Sequence, residues 1–370
     1  MRAKKNLFAS TTRRWALAKL ALGMFVISLS PGLAQTKAPV RSTTQGPVNK
    51  VIATVTTQPD AVCIAVSPDS ATVYVANGQS NNVTVIDATD NYHVKATITG
   101  LYSCYYLTLS ANGSTLYVSN ATAFGTVSVI DTTQSTYPLL ATLDAGRSPQ
   151  GLSITPDGTE LYVTDYGDQY RGIKGTVSVF DTSTNHLKRR IASKGAPFEV
   201  LFAENGKQAD ILNSVGTGFV QFIDTASGAV STSVGAAGDI FYPIGMVSNP
   251  GATEIYITDQ EDYLAVCKTG DGTVIRKILA VPGIYATLAL GQPALTPDGK
   301  YLYVPYSYDY RSSKPYNQVG MIDVSAGKIL GKPITVGNYP SWAQASPDGK
   351  TLYVANVNDG TMTVIDISSQ

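Results

Sequence analysis

From about residue 50 onward, apolar and polar residues alternate in short runs of four to six, each bounded by Gly, Asn, Asp or Pro. A period of two bounded by turn formers predicts β-strands, and no stretch of this part sustains a helical period. The runs recur as a unit. Tyr-Val-Ala-Asn at 74–77 returns at 117–120, 162–165, 256–259 and 353–356, with degenerate copies at 210–213 and 303–306, so that successive starts lie 43 to 50 residues apart. Each copy is followed by a second alternating run ending in most cases on Asp, as in Val-Thr-Val-Ile-Asp at 83–87. Most are preceded by a Ser/Thr-Pro-Asp turn, such as 155–158 or 346–349. A unit thus reads as four strands: an inner strand into the Pro-Asp turn, the Tyr-Val strand, the Val-Ile-Asp strand and an outer strand. Seven four-stranded units of this length predict an all-β, seven-bladed β-propeller.

The last unit lacks its fourth strand, because the sequence stops soon after 362–366. Residues 50–55, Lys-Val-Ile-Ala-Thr-Val, resemble the outer strands of other units. The N-terminal strand is therefore expected to complete the last blade and remove an open edge. The repeated Tyr offers a large face to the pleat. The closing Asn or Asp and the Asp of Val-Ile-Asp are expected to bond nearby backbone, so these carboxylates read as architecture rather than chemistry.

Before the repeat comes a different kind of chain. Six basic residues and no acidic one mark residues 1–34, with an apolar run at 20–29 and small residues at 31–34. This order is that of a secretory signal, expected to be cleaved after Ala34, and the run is too short to span a bilayer. Arg13-Arg14 also suits a twin-arginine signal. Residues 35–48 read as a flexible polar leader and 49–370 as the propeller, so the mature protein is expected outside the cytoplasm, periplasmic or extracellular, without a transmembrane segment and as a monomer. Without the leader, 21 Lys and Arg face 27 Asp and Glu, a formal charge of −6, which argues against nucleic acid as a partner. The cluster Lys188-Arg189-Arg190 reads as a solvated strand edge.

Candidate chemistry is sparse. Cys63, Cys104 and Cys267 are an odd three with no metal-ligand spacing, although Cys63 and Cys104 lie in neighbouring inner strands where pairing is open. The histidines are His93 and His186, both at the start of outer strands. No metal site and no cofactor is expected, and no catalytic residue is assigned. In this strand order the turns entering the inner strands share one face with the loops between second and third strands, around the mouth of the central channel. That face carries the variation between copies: the loops near Tyr170 and at 306–316 are long, while the Pro-Asp turns opposite are alike. The candidate ligand-binding residues are Asp60, Tyr102, Arg147, Glu199, Tyr242, Tyr285, Tyr339 and Trp342, rings with a few charges to orient a small molecule, a glycan or a protein. Asp60 with Glu199 forms a carboxylate pair that suits acid–base work or calcium.

The motifs at 74–77 with 83–87, and at 353–356 with 362–366, resemble the YVTN β-propeller repeat family, similar to exported bacterial YncE-like proteins and archaeal surface-layer proteins. The resemblance covers residues 50 to the end and implies the propeller fold. It carries little about function, since blade residues define the family. Some similar seven-bladed propellers are lactonases or lyases with His, Glu and Arg or a metal at the channel mouth. That makes an enzyme of this type the alternative to a binding and scaffold protein.

Overall fold

The computed structural model describes residues 46–203, 206–214, 218–232, 240–260, 262–281, 288–310 and 312–369. Residues 1–45, where a signal and most of a leader are expected, and Tyr285 lie outside the described residues. The chain is all-β, with seven blades in a ring, and each blade is an antiparallel meander whose first strand lies innermost. Blade 1 runs Ala61–Val66, Thr72–Asn77, Asn82–Asp87 and Val94–Ile98; blades 2, 3, 4 and 5 repeat the order from Cys104–Leu109, Pro149–Ile154, Pro197–Ala203 and Gly245–Ser248. Blade 7 runs Pro340–Ala345, Thr351–Asn356 and Thr361–Asp366, and its outermost strand is the N-terminal Lys50–Thr56, paired from Lys50 with Asp366 to Thr56 with Thr361.

The repeated side chains do the structural work their positions imply. Tyr74, Tyr117, Tyr162, Tyr256, Tyr303 and Tyr353 are buried between adjacent blades. Asn77 donates to Asn82 and Thr84, Asn120 to Thr126 and Ser128, and Asn356 to Thr361 and Thr363, locking second strand to third. In blade 3 the closing residue is an acid, so Thr176 and Ser178 donate to Asp165 instead. Where the third strand ends on Asp, as in every blade but the fifth, that Asp accepts from a hydroxyl in the following turn, as Asp87 does from Thr89 and Asp366 from Ser368.

Three local features depart from the sequence expectation. Residues 306–316 are not a loop: the strands Tyr301–Asp309 and Lys314–Asp323 continue as a hairpin past a register shift between Tyr306 and Tyr308. Alternating tyrosines favour a pleated ribbon, and Tyr306 lies edge-on to Tyr316, 6.3 Å between ring centroids. The inner strand of this blade 6 is instead broken, into Leu288–Leu290 and Ala294–Leu295, around Pro293, which has no N–H for a ladder. Lys188 and Arg189 are not simply solvated. Both reach Glu160, Arg189 through two bonds of 3.1 and 2.9 Å, and Arg189 also donates to the Thr225 carbonyl of blade 4. Cys63 and Cys104 are both buried and unpaired with each other.

Candidate functional site

The channel mouth is made by one irregularity repeated around the ring. The residue before the inner strand takes a left-handed backbone in four blades, Asp60, Ser103, Ser148 and Tyr339, and Tyr242 does so three residues before the inner strand of blade 5, with φ between 45° and 69°. That conformation is uncommon for residues other than Gly, and rarer still for a bulky tyrosine. Two residues later the ladder slips, between Ala61 and Cys63, Cys104 and Leu107, Pro149 and Leu152, Pro197 and Glu199, and Pro340 and Trp342. A bulge leaves one residue unpaired and turns its side chain off the strand face. Hydroxyls of the preceding blade take up carbonyls freed there: Thr164 donates to Phe198 at 3.0 Å, Thr258 to Gly291 at 2.9 Å and Ser307 to Pro340 at 2.7 Å.

Two rings of side chains result. The upper one is Val62, Tyr105, Gln150, Phe198 and Ser341 at the five bulges, with Ile244 and Gly291 at the matching places in blades 5 and 6. The lower, one residue on, is Cys63, Tyr106, Gly151, Glu199, Gly245, Gln292 and Trp342. The lower ring plugs the channel. Tyr106 and Trp342 meet edge to face with ring centroids 4.9 Å apart. Glu199 accepts from the Tyr106 hydroxyl at 3.0 Å, from Gln292 Nε2 at 2.9 Å and from the Met246 N–H at 2.7 Å, so one carboxylate ties blades 2, 5 and 6 to blade 4. The two glycines make room. A Cβ on Gly151 would meet the Phe198 carbonyl oxygen at 2.7 Å and Glu199 Cα at 2.8 Å, and one on Gly245 would strike Gln292. Gln292 also links the inner strands of blades 6 and 7, donating its N–H to the Ser341 carbonyl and accepting from Ala343.

Above the plug lies a cavity of about 310 Å³, open to solvent at the mouth. Tyr105, Phe198, Tyr339 and Trp342 supply its rings, Asp60 its one charged side chain, and Gln292, Ser307 and Ser341 its other polar groups. Burial raises the Asp60 carboxyl above its ordinary range, against the opposing hydrogen bond from the Gln79 backbone. Burial also pushes Glu199 up to about 8, outweighing its three donors, and among the described residues no cation offsets it. The Tyr106 phenol rises for the same reason, with Glu199 adding to the effect.

Of the candidates from sequence, Asp60, Tyr339 and Trp342 line the cavity, and Glu199 lies directly beneath it. Tyr102 and Tyr242 are on the same face but outside the cavity, 70% and 41% exposed. Arg147 is held at 3.0 Å by Asp168, in the loop between the second and third strands of blade 3. Asp60 and Glu199 do not form a shared carboxylate site: the first lines the mouth, while the second is sealed in the plug with both oxygens bonded. The residues that sequence reasoning missed are Val62, Gln292, Ser307 and Ser341, together with the plug partner Tyr106. For Val62, Tyr106, Gln292 and Ser341 the signal is positional: aligning the seven inner strands puts the two rings at the two positions that do not repeat, whereas Ser307 lies on the second strand of blade 6.

The fold and the mouth define a seven-bladed β-propeller with a plugged channel and an open cavity on one face. The chain is 30% identical over 166 residues to the seven-bladed beta-propeller protein Rv1057 of Mycobacterium tuberculosis, a match covering 44% of this chain and 36% of that protein's length. Among solved structures it superposes on a chain of hydrazine synthase from Kuenenia stuttgartiensis with a TM-score of 0.73 and 22% identity, covering 90% of this chain and all of the other. At that identity the likeness is one of fold. No protein-family profile matches the chain.

Proposed function

We propose that this is an exported propeller of the YVTN-repeat type that binds a ligand or partner at its channel-mouth face. The observation that carries the reading is the cavity above the plug. It sits where the seven copies differ, and its walls are aromatic, with a few polar groups, as in small-molecule sites generally. The opposite face offers little to recognise: its Ser/Thr-Pro-Asp turns close on themselves, with Thr155, Thr296 and Ser346 donating to Asp157, Asp298 and Asp348. Export rests on the basic and apolar pattern of residues 1–34, and family membership on the repeat motifs. A lactonase- or lyase-type activity is the second reading, favoured by the buried acid under the cavity. Binding is preferred because all three hydrogen bonds to Glu199 come from the plug, leaving it no free oxygen to face a substrate.

The test is a thermal-shift screen of the purified protein against sugars, lactones, calcium chloride and cell-wall fragments, followed by mapping of any compound that stabilises it. Tyr339→Leu is expected to weaken binding of such a compound by roughly 1–3 kcal/mol, the scale of an anchoring aromatic. Tyr242→Ala should do the same only for a ligand large enough to cover the rim. Lys300→Ala and Lys350→Ala, at turns on the opposite face where each lysine pairs with the adjacent Asp298 or Asp348, should leave it unchanged. Binding lost in the lysine variants and kept in folded Tyr339→Leu and Tyr242→Ala protein would refute the assignment of the face.

A further inference from the structure

We infer that the mouth cavity is built for a small organic cation, an ammonium group held by aromatic rings and the Asp60 carboxylate. The inference rests on the reading that this face binds a ligand and names the class. Four rings, Tyr105, Phe198, Tyr339 and Trp342, line a space of about 310 Å³, enough for a substituted ammonium head, and among the described residues no Lys or Arg lines it. A ring face carries negative charge density, so several rings around one space attract a desolvated cation and offer an anion nothing. Asp60 supplies the counter-charge. Among the described residues no cation pairs with it, and the Gln79 backbone donates to it. A second cavity of about 430 Å³ shares Asp60 and Val357 with the first and adds Asp359, again with no basic side chain among the described residues, so the acidic field extends past the mouth.

Other ligand classes fit less well. An anion would meet Asp60. A sugar needs several converging donors and acceptors, but the Ser307 hydroxyl is already donated to Pro340, and Gln292 gives its amide N–H groups to Glu199 and Met246. What remains is mainly apolar area, ring faces and the Asp60 carboxylate, with two isolated unpartnered atoms, the Trp342 Nε1–H and Gln292 Oε1, too few to match a ring of sugar hydroxyls.

Choline and its uncharged carbon isostere 3,3-dimethyl-1-butanol have nearly the same shape, so the pair isolates charge. The full chain is titrated with each by calorimetry at fixed ionic strength, with sodium and calcium chloride as further probes. Choline is expected to bind at least about tenfold more tightly than the isostere, and the inorganic cations not to compete at equal ionic strength. Asp60→Asn should weaken choline about tenfold or more while leaving the melting temperature in place. Asn keeps an acceptor for the Gln79 N–H and tolerates the left-handed backbone at this position, φ 69°. Phe198→Leu is the second variant, which removes a ring and keeps an apolar side chain. Equal binding of choline and the isostere, no binding of choline, or choline binding indifferent to both variants overturns the inference. The two levels separate cleanly. If choline fails while another compound stabilises the protein in a Tyr339-dependent way, the cation class falls and the face stands. If every stabilising compound ignores the mouth variants, the face falls with it.

Discussion

Glu199 has neutral company only. Its exposure is 1%, and the Tyr106 hydroxyl, the Gln292 amide and the Met246 N–H all donate to it. Three neutral donors lower a carboxyl pKa, but complete burial raises it further, and the balance lies at about 8 against an ordinary 4.5. The folded state therefore favours the protonated acid. A group with a raised folded pKa contributes stability that is full below its unfolded pKa and is lost as pH rises through the folded one. Stability is expected to fall from about pH 4.5 to about pH 8, by on the order of 4 kcal/mol from this residue. Asp210, also buried and raised to about 6, and Asp165 add to the same slope. Glu199→Gln removes the titration while keeping an amide to bond in the plug. Urea denaturation of both proteins at pH 5 and pH 8 should show a clearly smaller loss in the variant. Equal slopes would mean that Glu199 is ionised throughout.

At the scale of the element, the inner strand is the unit that matters, and its bulge is what turns a repeated strand into a varied mouth. The lower ring tolerates Tyr106, Trp342, Glu199 and Gln292 in one narrow channel only because blades 3 and 5 contribute glycine. Gly151→Ala is expected to destabilise by about 1–3 kcal/mol, since its Cβ would press on the backbone of Phe198 and Glu199, which cannot rotate away. A melting curve checks this, and an unchanged midpoint would show that the plug is loose. The same strands explain what was legible in advance. Tyr74, Asn77 and Asp87 repeat because most blades need the same contacts, so periodicity alone locates the second and third strands. The mouth repeats nothing: which of Phe198 and Glu199 faces the cavity depends on a one-residue slip against Leu212 and Asn213, and a slip leaves no mark in composition. Blade 6 was found as a degenerate copy, but its hairpin extension read as a loop for a related reason. Tyr306 stands where other copies have Asn or Asp, and it donates to the Ala280 carbonyl at 2.6 Å rather than clamping a third strand. Arg147 and Tyr102 were visible as charge and ring on the right face, but their distance from the channel axis was not.

For the whole molecule, the ring must be closed, and the closure is made by the chain's two ends rather than by a loop. Lys50–Thr56 pairs along Thr361–Asp366 with one register slip between Val51 and Ala53. The seam is extended at both ends: Val48 N–H donates to Ser368 at 3.0 Å and Thr57 N–H to Gly360 at 2.9 Å. Asn49, beside the strand, also accepts from the buried Tyr303 at 2.8 Å, so the seam reaches into blade 6. Most of the strand is exposed, and Val55 is its one buried side chain, in a cluster with Met362 and Val364. Its contribution is thus more ladder than core. Burying Val55 is worth about 1.5–3 kcal/mol, and each net backbone bond about 0.5–1.5 kcal/mol. Deleting Lys50–Thr56 should cost on the order of 5 kcal/mol and leave Thr361–Asp366 as an unprotected edge, a template for another chain. Two measurements check the expectation. The midpoint of urea unfolding should drop well below that of the intact protein, and size-exclusion chromatography should show dimers or larger species that the intact protein lacks. Lys50→Ala, a change at an exposed side chain, serves as the control and should move neither. A deletion variant that unfolds at the same urea concentration and stays at the same size would mean that the seam does not hold the ring together.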